Sequence, residues 1–367
     1  MKTAINIARV IVGLLFIFSG LVKANDPLGL SYKMQEFFEL WGFARFNSWT
    51  LLMSVLMNAF EIIAGFALLL GWRIRLFSWL LLLLIIFFTF LTGYAFLSGQ
   101  FKNCGCFGDC LPITPQTSFL KDLLLLVLIG FLFWKQRLIL PLFTEKKNTI
   151  IMLGVTLLSF GLQWYTLNYL PVTDCLPFKK GNNIPEKMKP PPGARPDSFA
   201  IRFVYEKAGK QFEFSPAELP ADLATYQFIS RKDKLIRKGN AEPSIRGFLL
   251  SGITDEDSTQ IILSHPTTVL LFCEDFSVPV SKWETSFSKL YAVAKTKNIP
   301  VYLITTKPDE AVKNIAGTSF ADMQVLKCDF TVIRTAARTN PCLYILKQGT
   351  IKGKWTRHGF PIATKIL

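Results

Sequence analysis

The stretch FKNCGCFGDCLP, residues 101–112, places Cys104, Cys106 and Cys110 within seven positions, and a further cysteine, Cys175, follows in PVTDCLPF. A disulfide needs Cα atoms roughly 4.4–6.8 Å apart, and two cysteines separated by one residue meet that distance only in a strained ring. Strained or exposed disulfides have the higher potentials and are the labile, catalytic ones. Gly105 between Cys104 and Cys106, with Phe107 and Gly108 after them, suits a loop that turns tightly and exposes sulfur. Cys110 and Cys175 are candidates for a second pair or for resolving thiols. Two other chemistries stay open: static disulfides that pin the loop, and a thiolate metal site. The Cys-x-Cys-x3-Cys spacing is not that of a zinc finger and the chain has 2 histidines, so no metal is expected.

The elements that must position this loop are apolar. Hydrophobic residues make up 50% of the 367 and fall in long blocks up to about Leu170, after which charges come every few residues. A spanning helix needs ~20 apolar residues. Five segments qualify: Ile5–Val22, read as a retained signal anchor, then Leu51–Trp72, Leu76–Leu97, Ser118–Trp134 and Thr149–Leu170. Arg73 and Arg75 lie between the second and third; Lys135, Arg137, Lys146 and Lys147 lie between the fourth and fifth. Basic turns of that kind stay cytoplasmic. The expectation is a multi-pass protein of the bacterial cytoplasmic membrane, with the N-terminus cytoplasmic and with the cysteine loop and everything after Leu170 outside, where disulfides form. The amphipathic stretch MQEFFELWGF, residues 34–43, is expected on the outer interface. The net charge of +15 is shared by both halves without a Lys/Arg stripe. The lipid bilayer is therefore an expected partner and nucleic acid is not.

Ionisable residues inside spans are costly and tend to be functional. Arg9 and Glu61 are expected to pair within the bundle. Asp122 either accepts a proton from a thiol of the loop or caps its helix beside Lys121.

RVIVGLLFIFSGLVKANDP at 9–27, with Phe18-Ser19-Gly20 and Lys23, and EIIAGFALLLGW from Glu61 resemble the first two helices of DoxX-family membrane proteins. CGCFGD at 104–109, followed by KDLLLL from Lys121, is similar to the MauE branch of that group. The resemblance covers about residues 5–140. It implies a four-helix core and a role in disulfide formation in periplasmic proteins, with the quinone-linked sulfur chemistry of DoxX relatives. It carries over to Cys104 and Cys106, to Phe107 and Gly108 as their loop context, and to Glu61.

Residues 171–198, with KMKPPPGARPDS, read as an extended linker. From Phe199 to about Ile262 strand patterns dominate, opening with a hairpin around Ala208-Gly209, and YQFISR and KLIRKG read as further short strands. Residues 263–367 alternate strand, helix, strand and strand, then end in a hairpin turning at Gln348-Gly349. This order, with Asn-Pro opening the hairpin, resembles the thioredoxin fold, in which Pro341 takes the place of the cis-proline facing the active site. Cys-x-x-Cys is missing: Cys273 stands alone before Glu274 and Asp275. Cys273, Cys328 and Cys342 each read as buried structural cysteines. Antiparallel strands bring Cys273 and Cys342 to one sheet edge, where a bond requires that they face the same way.

The expected fold class is a membrane α-helical bundle, with a DoxX/MauE-like core over 1–148 and a fifth helix over 149–170. An α/β thioredoxin-like periplasmic domain over 263–367 follows the linker and a β-rich segment at 199–262. The expected function is thiol–disulfide exchange with an exported or periplasmic protein through Cys104, Cys106, Cys110 and Cys175, with a membrane quinone as the electron sink. The rival expectation is a non-enzymatic scaffold with permanent disulfides and a docking thioredoxin-like domain.

Overall fold

In the computed structural model, described over residues 2–99, 105, 107–237, 239–252 and 256–367, the apolar blocks form helices α1 (Lys2–Ala24), α3 (Thr50–Leu70), α4 (Ile74–Ser98), α5 (Pro115–Trp134) and α6 (Glu145–Tyr169). All are long and apolar enough to cross a membrane. Between the first two lies α2 (Pro27–Leu40), started by an Asp26 cap and by proline in its first turn, the residue types that satisfy a helix N-terminus. The helix α5 begins three residues before the predicted Ser118, because Thr114 caps it and Pro115 opens it.

Small residues set the tightest helix crossing. A Cβ on Gly65 would lie 2.8 Å from the Gly13 carbonyl oxygen, and one on Gly20 would lie 3.1 Å from that of Asn58. Glycines let α1 and α3 touch backbone to backbone, as membrane helices do without a hydrophobic drive between them. The pair runs antiparallel, so the end of α1, the start of α3, the end of α4, the start of α5 and the end of α6 share one end of the bundle. The basic turns lie at the other end, where Leu142 donates to the Leu70 carbonyl.

The C-terminal region is a three-layer α/β domain. Its sheet has the order β6-β5-β4-β7-β8: β4 (Thr268–Phe272), β5 (Val301–Thr305) and β6 (Gln324–Lys327) are parallel, and β7 (Cys342–Lys347) and β8 (Thr350–Thr356) are antiparallel to their neighbours. The helices α9 (Glu284–Thr296), α10 (Pro308–Ile315) and α12 (Phe360–Thr364) cover one face. The other face carries α7 (Ile184–Lys187), α8 (Thr259–Ser264) and α11 (Phe330–Ala336). The Asn340–Pro341 peptide is cis.

The expected linker is not a free spacer throughout. Phe178 and Ile184 are buried in the domain core, and Gly181, Asn182 and Ile184 hydrogen-bond to Gly349 and Ile351. An apolar pair in a Pro-rich stretch is enough to draw the segment onto a sheet edge. The strands expected at YQFISR and KLIRKG are one strand, β3 (Gln227–Arg237), which pairs with β1 (Ser198–Lys207); β2 (Lys210–Phe214) flanks β1 on the other side. The β1–β2 turn uses Ala208 and Gly209 at φ 52 and 74, the left-handed pair that a two-residue hairpin requires. Among the described residues no strand follows until β4; between β3 and α8 there are isolated bridges only, Ser251 with Asp257 and with Lys327.

Candidate functional site

Cys110 and Cys175 form a disulfide, with Cα atoms 4.9 Å apart, across 65 residues of sequence. It ties the loop between α4 and α5 to the segment leaving α6. Cys104 and Cys106 lie outside the described residues.

The two acids beside these sulfurs are gripped by cations of the C-terminal domain. Asp109 pairs with Arg338 Nη2 at 2.6 Å, and Asp174 pairs with Lys354 Nζ at 2.8 Å. Arg338 also holds Asp26, the cap of α2, at 2.8 Å, and donates to the Arg334 carbonyl. Its side chain is 5% exposed. Burial pulls the guanidinium down, but Asp26 and Asp109 outweigh it and leave its pKa above the ordinary arginine value. Asp26 is itself raised, because burial, with Asp109 alongside, outweighs Arg338. Two carboxylates thus share one guanidinium. Arg334 adds bonds to Glu274 at 2.7 Å and to Gln35 of α2 at 2.8 Å. Asn25 brackets the Thr173 backbone with two hydrogen bonds. The C-terminal domain is thus docked on the loop end of the bundle, beside the disulfide.

Two concavities meet at the loop. An apolar cavity of about 110 Å³ lies inside the bundle. Gly105 and Phe107 line it together with Lys23, Glu61, Thr92 and Asp122. Lys23 and Glu61 form a buried ion pair, and Glu61 Oε2 has no hydrogen-bond partner among the described residues. Asp122 takes bonds from Lys121 at 2.6 Å and Thr92 at 3.0 Å. The second concavity, a groove of about 480 Å³ with both polar and apolar walls, runs between α2 and α11 and has Asp109, Pro112 and Cys175 in its wall. The partition is α2. Met34, Phe37 and Trp41 face the cavity, and Tyr32, Gln35 and Glu39 face the groove. The stretch expected on the outer interface therefore turns its apolar side into the bundle.

Arg9 and Glu61 do not pair. Arg9 donates to the carbonyls of Leu68, Leu69 and Leu140. In an antiparallel pair Arg9 meets the C-terminal end of α3, whose free carbonyls attract a cation. Glu61 lies seven residues earlier in α3, about 10 Å away at 1.5 Å per residue, beside Lys23. Lys23 was legible as an ionisable residue closing the first span; its partner was not.

The C-terminal cysteines are apart. Cys273, Cys328 and Cys342 are free and buried. Phe272 is registered against Cys342, and Cys342 packs with the core on the α11 side while Cys273 packs with the core on the α9 side. One step along a strand reverses the face, so the two cannot bond. Burial pushes the Cys342 thiol up to about 11 and that of Cys328 up to about 12. Cys273 is raised further by burial, then by Cys342 and Asp275.

Residues 1–135 match the family of the methylamine utilisation protein MauE. With five span-length helices, this makes the chain a multi-pass membrane protein with a MauE-like N-terminal region. Residues 199–238, the three-stranded sheet, match a domain of unknown function (DUF8463). A stretch of 78 residues is 36% identical to Protein TlpB of Flavobacterium psychrophilum, covering 21% of this chain and 20% of that protein. The chain thus matches about a fifth of the length of this curated relative. No solved structure matches the chain.

Proposed function

We propose that the protein is a membrane thiol–disulfide oxidoreductase of the cytoplasmic membrane, which takes electrons from exported proteins through Cys110, Cys175, Cys104 and Cys106. A membrane quinone is the acceptor in this reading. The observation that carries it is the position of the loop. Gly105 and Phe107 line a bundle cavity, while Asp109 and Cys175, the latter bonded to Cys110, line a groove outside it. A loop shared by the two has one side on the groove and the other on the bundle interior.

The bundle cavity suits the head of such a group, not the whole molecule, because its volume of about 110 Å³ is below the roughly 300–1,000 Å³ of ligand sites. Its walls are apolar, and the unpartnered Glu61 Oε2 leaves a buried polar atom that calls for a ligand. Lys23, Glu61, Lys121 and Asp122 would hold the polar head, with Phe16, Phe88 and Leu125 around the ring. When bound, a quinone supplies a two-electron, two-proton acceptor. The carboxylates of Glu61 and Asp122, paired with Lys23 and Lys121, stand where protons would be exchanged with such a head group. The five-stranded mixed sheet and the cis-proline of the C-terminal domain support a thioredoxin-like reading of it; with no dithiol among its described residues, it serves the exchange by docking.

Reconstitution in quinone-containing liposomes tests the reading. Adding a protein dithiol should convert quinone to quinol at a rate that Cys104→Ala or Cys106→Ala reduces at least a hundredfold. A second reading, a static scaffold, is favoured by the same disulfide pinning the loop to the segment after α6. A potential for Cys110–Cys175 below about −300 mV would decide for the scaffold; a potential near that of periplasmic oxidants decides for exchange.

A further inference from the structure

We propose that the groove between α2 and α11 receives an extended cysteine-bearing segment of the substrate polypeptide, and that Cys175 is the sulfur it attacks while Cys110 is the sulfur that leaves. The proposal rests on the exchange reading and adds a site and a direction to it.

Of the two bonded sulfurs, the residue in the groove wall is Cys175; Cys110 does not line it. Exchange rates depend on which sulfur is accessible and on how well the other leaves as thiolate. A thiolate within the groove meets Cys175 first. The neighbouring carboxylates do not choose between the sulfurs, since Asp109 before Cys110 is paired with Arg338 as Asp174 before Cys175 is paired with Lys354; the position of Cys175 in the groove wall does. The walls present both charge signs, Glu36 and Glu39 on α2 against Arg334 on α11, with the exposed Phe330 ring as an apolar contact. Mixed charge beside an aromatic ring is a surface for a peptide, not for a small anion or cation. The volume, about 480 Å³, lies in the range of ligand sites, roughly 300–1,000 Å³.

The step balances without another oxidant. A substrate thiolate attacks Cys175 Sγ, the Cys110–Cys175 bond breaks, and Cys110 leaves as a thiolate that takes up a proton. A second substrate thiolate then attacks its own partner sulfur in the mixed disulfide and releases Cys175. The substrate dithiol has become a disulfide, and two electrons and two protons rest on Cys110 and Cys175.

The test uses the full chain in lipid nanodiscs and two reductants, dithiothreitol and a flexible ten-residue peptide carrying two cysteines. With a single-cysteine version of the peptide, acid quenching and peptide mapping should find the mixed disulfide on Cys175 at least ten times as often as on Cys110. Thr335→Trp, which fills the groove from α11, should slow the two-cysteine peptide at least tenfold more than it slows dithiothreitol. Adducts mainly on Cys110, or equal slowing of both reductants, overturn the proposal and leave the exchange reading standing. A disulfide that neither reductant opens overturns the exchange reading itself, and the groove with it.

Discussion

Arg338 and Lys354 do at the residue scale what the missing Cys-x-x-Cys does not: they bring the C-terminal domain into the chemistry of the disulfide. Each grips the acid that precedes a bonded cysteine, Asp109 before Cys110 and Asp174 before Cys175. A bare carboxylate there would disfavour the thiolates of the reduced form, and a dithiol whose thiolates are disfavoured is a weaker oxidant. Arg338→Gln should therefore move the Cys110–Cys175 potential to more negative values by on the order of 30 mV, equivalent to about 1.4 kcal/mol for a two-electron couple. Adding Asp109→Asn should restore it, which a loss of folding alone would not allow; glutathione redox titration gives both values. The C-terminal thiols behave oppositely. With the Cys342 thiol pushed up to about 11 by burial, its thiolate fraction at pH 8 is about one in a thousand, and Cys328 and Cys273 have less. Maleimide at pH 8 should leave all three unmodified in the folded protein and modify all three after denaturation. Rapid labelling of Cys342 in the native state would show that its face of the sheet opens.

Among the elements, the α1–α3 pair decides where the buried charges meet. The glycine contacts bring these helices close, and Lys23 then has Glu61 as its buried partner. Removing one member of a buried ion pair costs about 3–5 kcal/mol, while replacing both by apolar groups is often neutral. Lys23→Met should accordingly lower the unfolding temperature sharply in detergent, and Lys23→Met with Glu61→Leu should recover most of the loss without recovering quinol formation. An equally unstable double variant would mean that Lys23 has a further partner. Much of this level was legible in the sequence. The five spans follow from apolar length, with ends within a few residues of those observed, and the order of β4 to β8 follows from alternation and turn residues. What was not legible was pairing at a distance. Arg9 and Glu61 announce that each needs a partner, but nothing local says that the helix crossing gives one of them carbonyls and the other Lys23. Asp109, in plain view beside Cys110, gave no sign of Arg338, 229 residues on. The amphipathic α2 was evident from its pattern, yet a pattern cannot tell lipid from an internal cavity as the cover for an apolar face.

At the scale of the whole molecule, the chain divides into a docked body and one appended sheet. The appendage, β1 to β3, closes on a stem where the Asn240 N–H donates to the Arg195 carbonyl, the Arg195 N–H donates to the Asn240 side-chain Oδ1, and Gly239 approaches the Arg195 carbonyl more closely than any Cβ would allow. Val204 is its one deeply buried side chain among the described residues. Replacing residues 198–237 by a short Gly/Ser bridge should leave the thermal transition of the remaining protein within a few degrees. The docked body makes a stronger demand, because the cysteine loop and the C-terminal domain share one end of the bundle, held together by Arg338, Lys354 and the disulfide, while the basic turns lie at the other. A single topology experiment therefore fixes both. Lysine and arginine in short loops stay on the cytoplasmic side, and disulfides persist in the compartment beyond it. Alkaline phosphatase, active only after export, should be active when fused after Leu367 and inactive when inserted between Arg73 and Arg75. The reverse pattern would place Cys104, Cys106, Cys110 and Cys175 among reduced cytoplasmic thiols, where a labile disulfide would not persist and an exported protein could not reach the groove. In that orientation neither the exchange reading nor the direction through Cys175 survives, whatever the geometry of the loop.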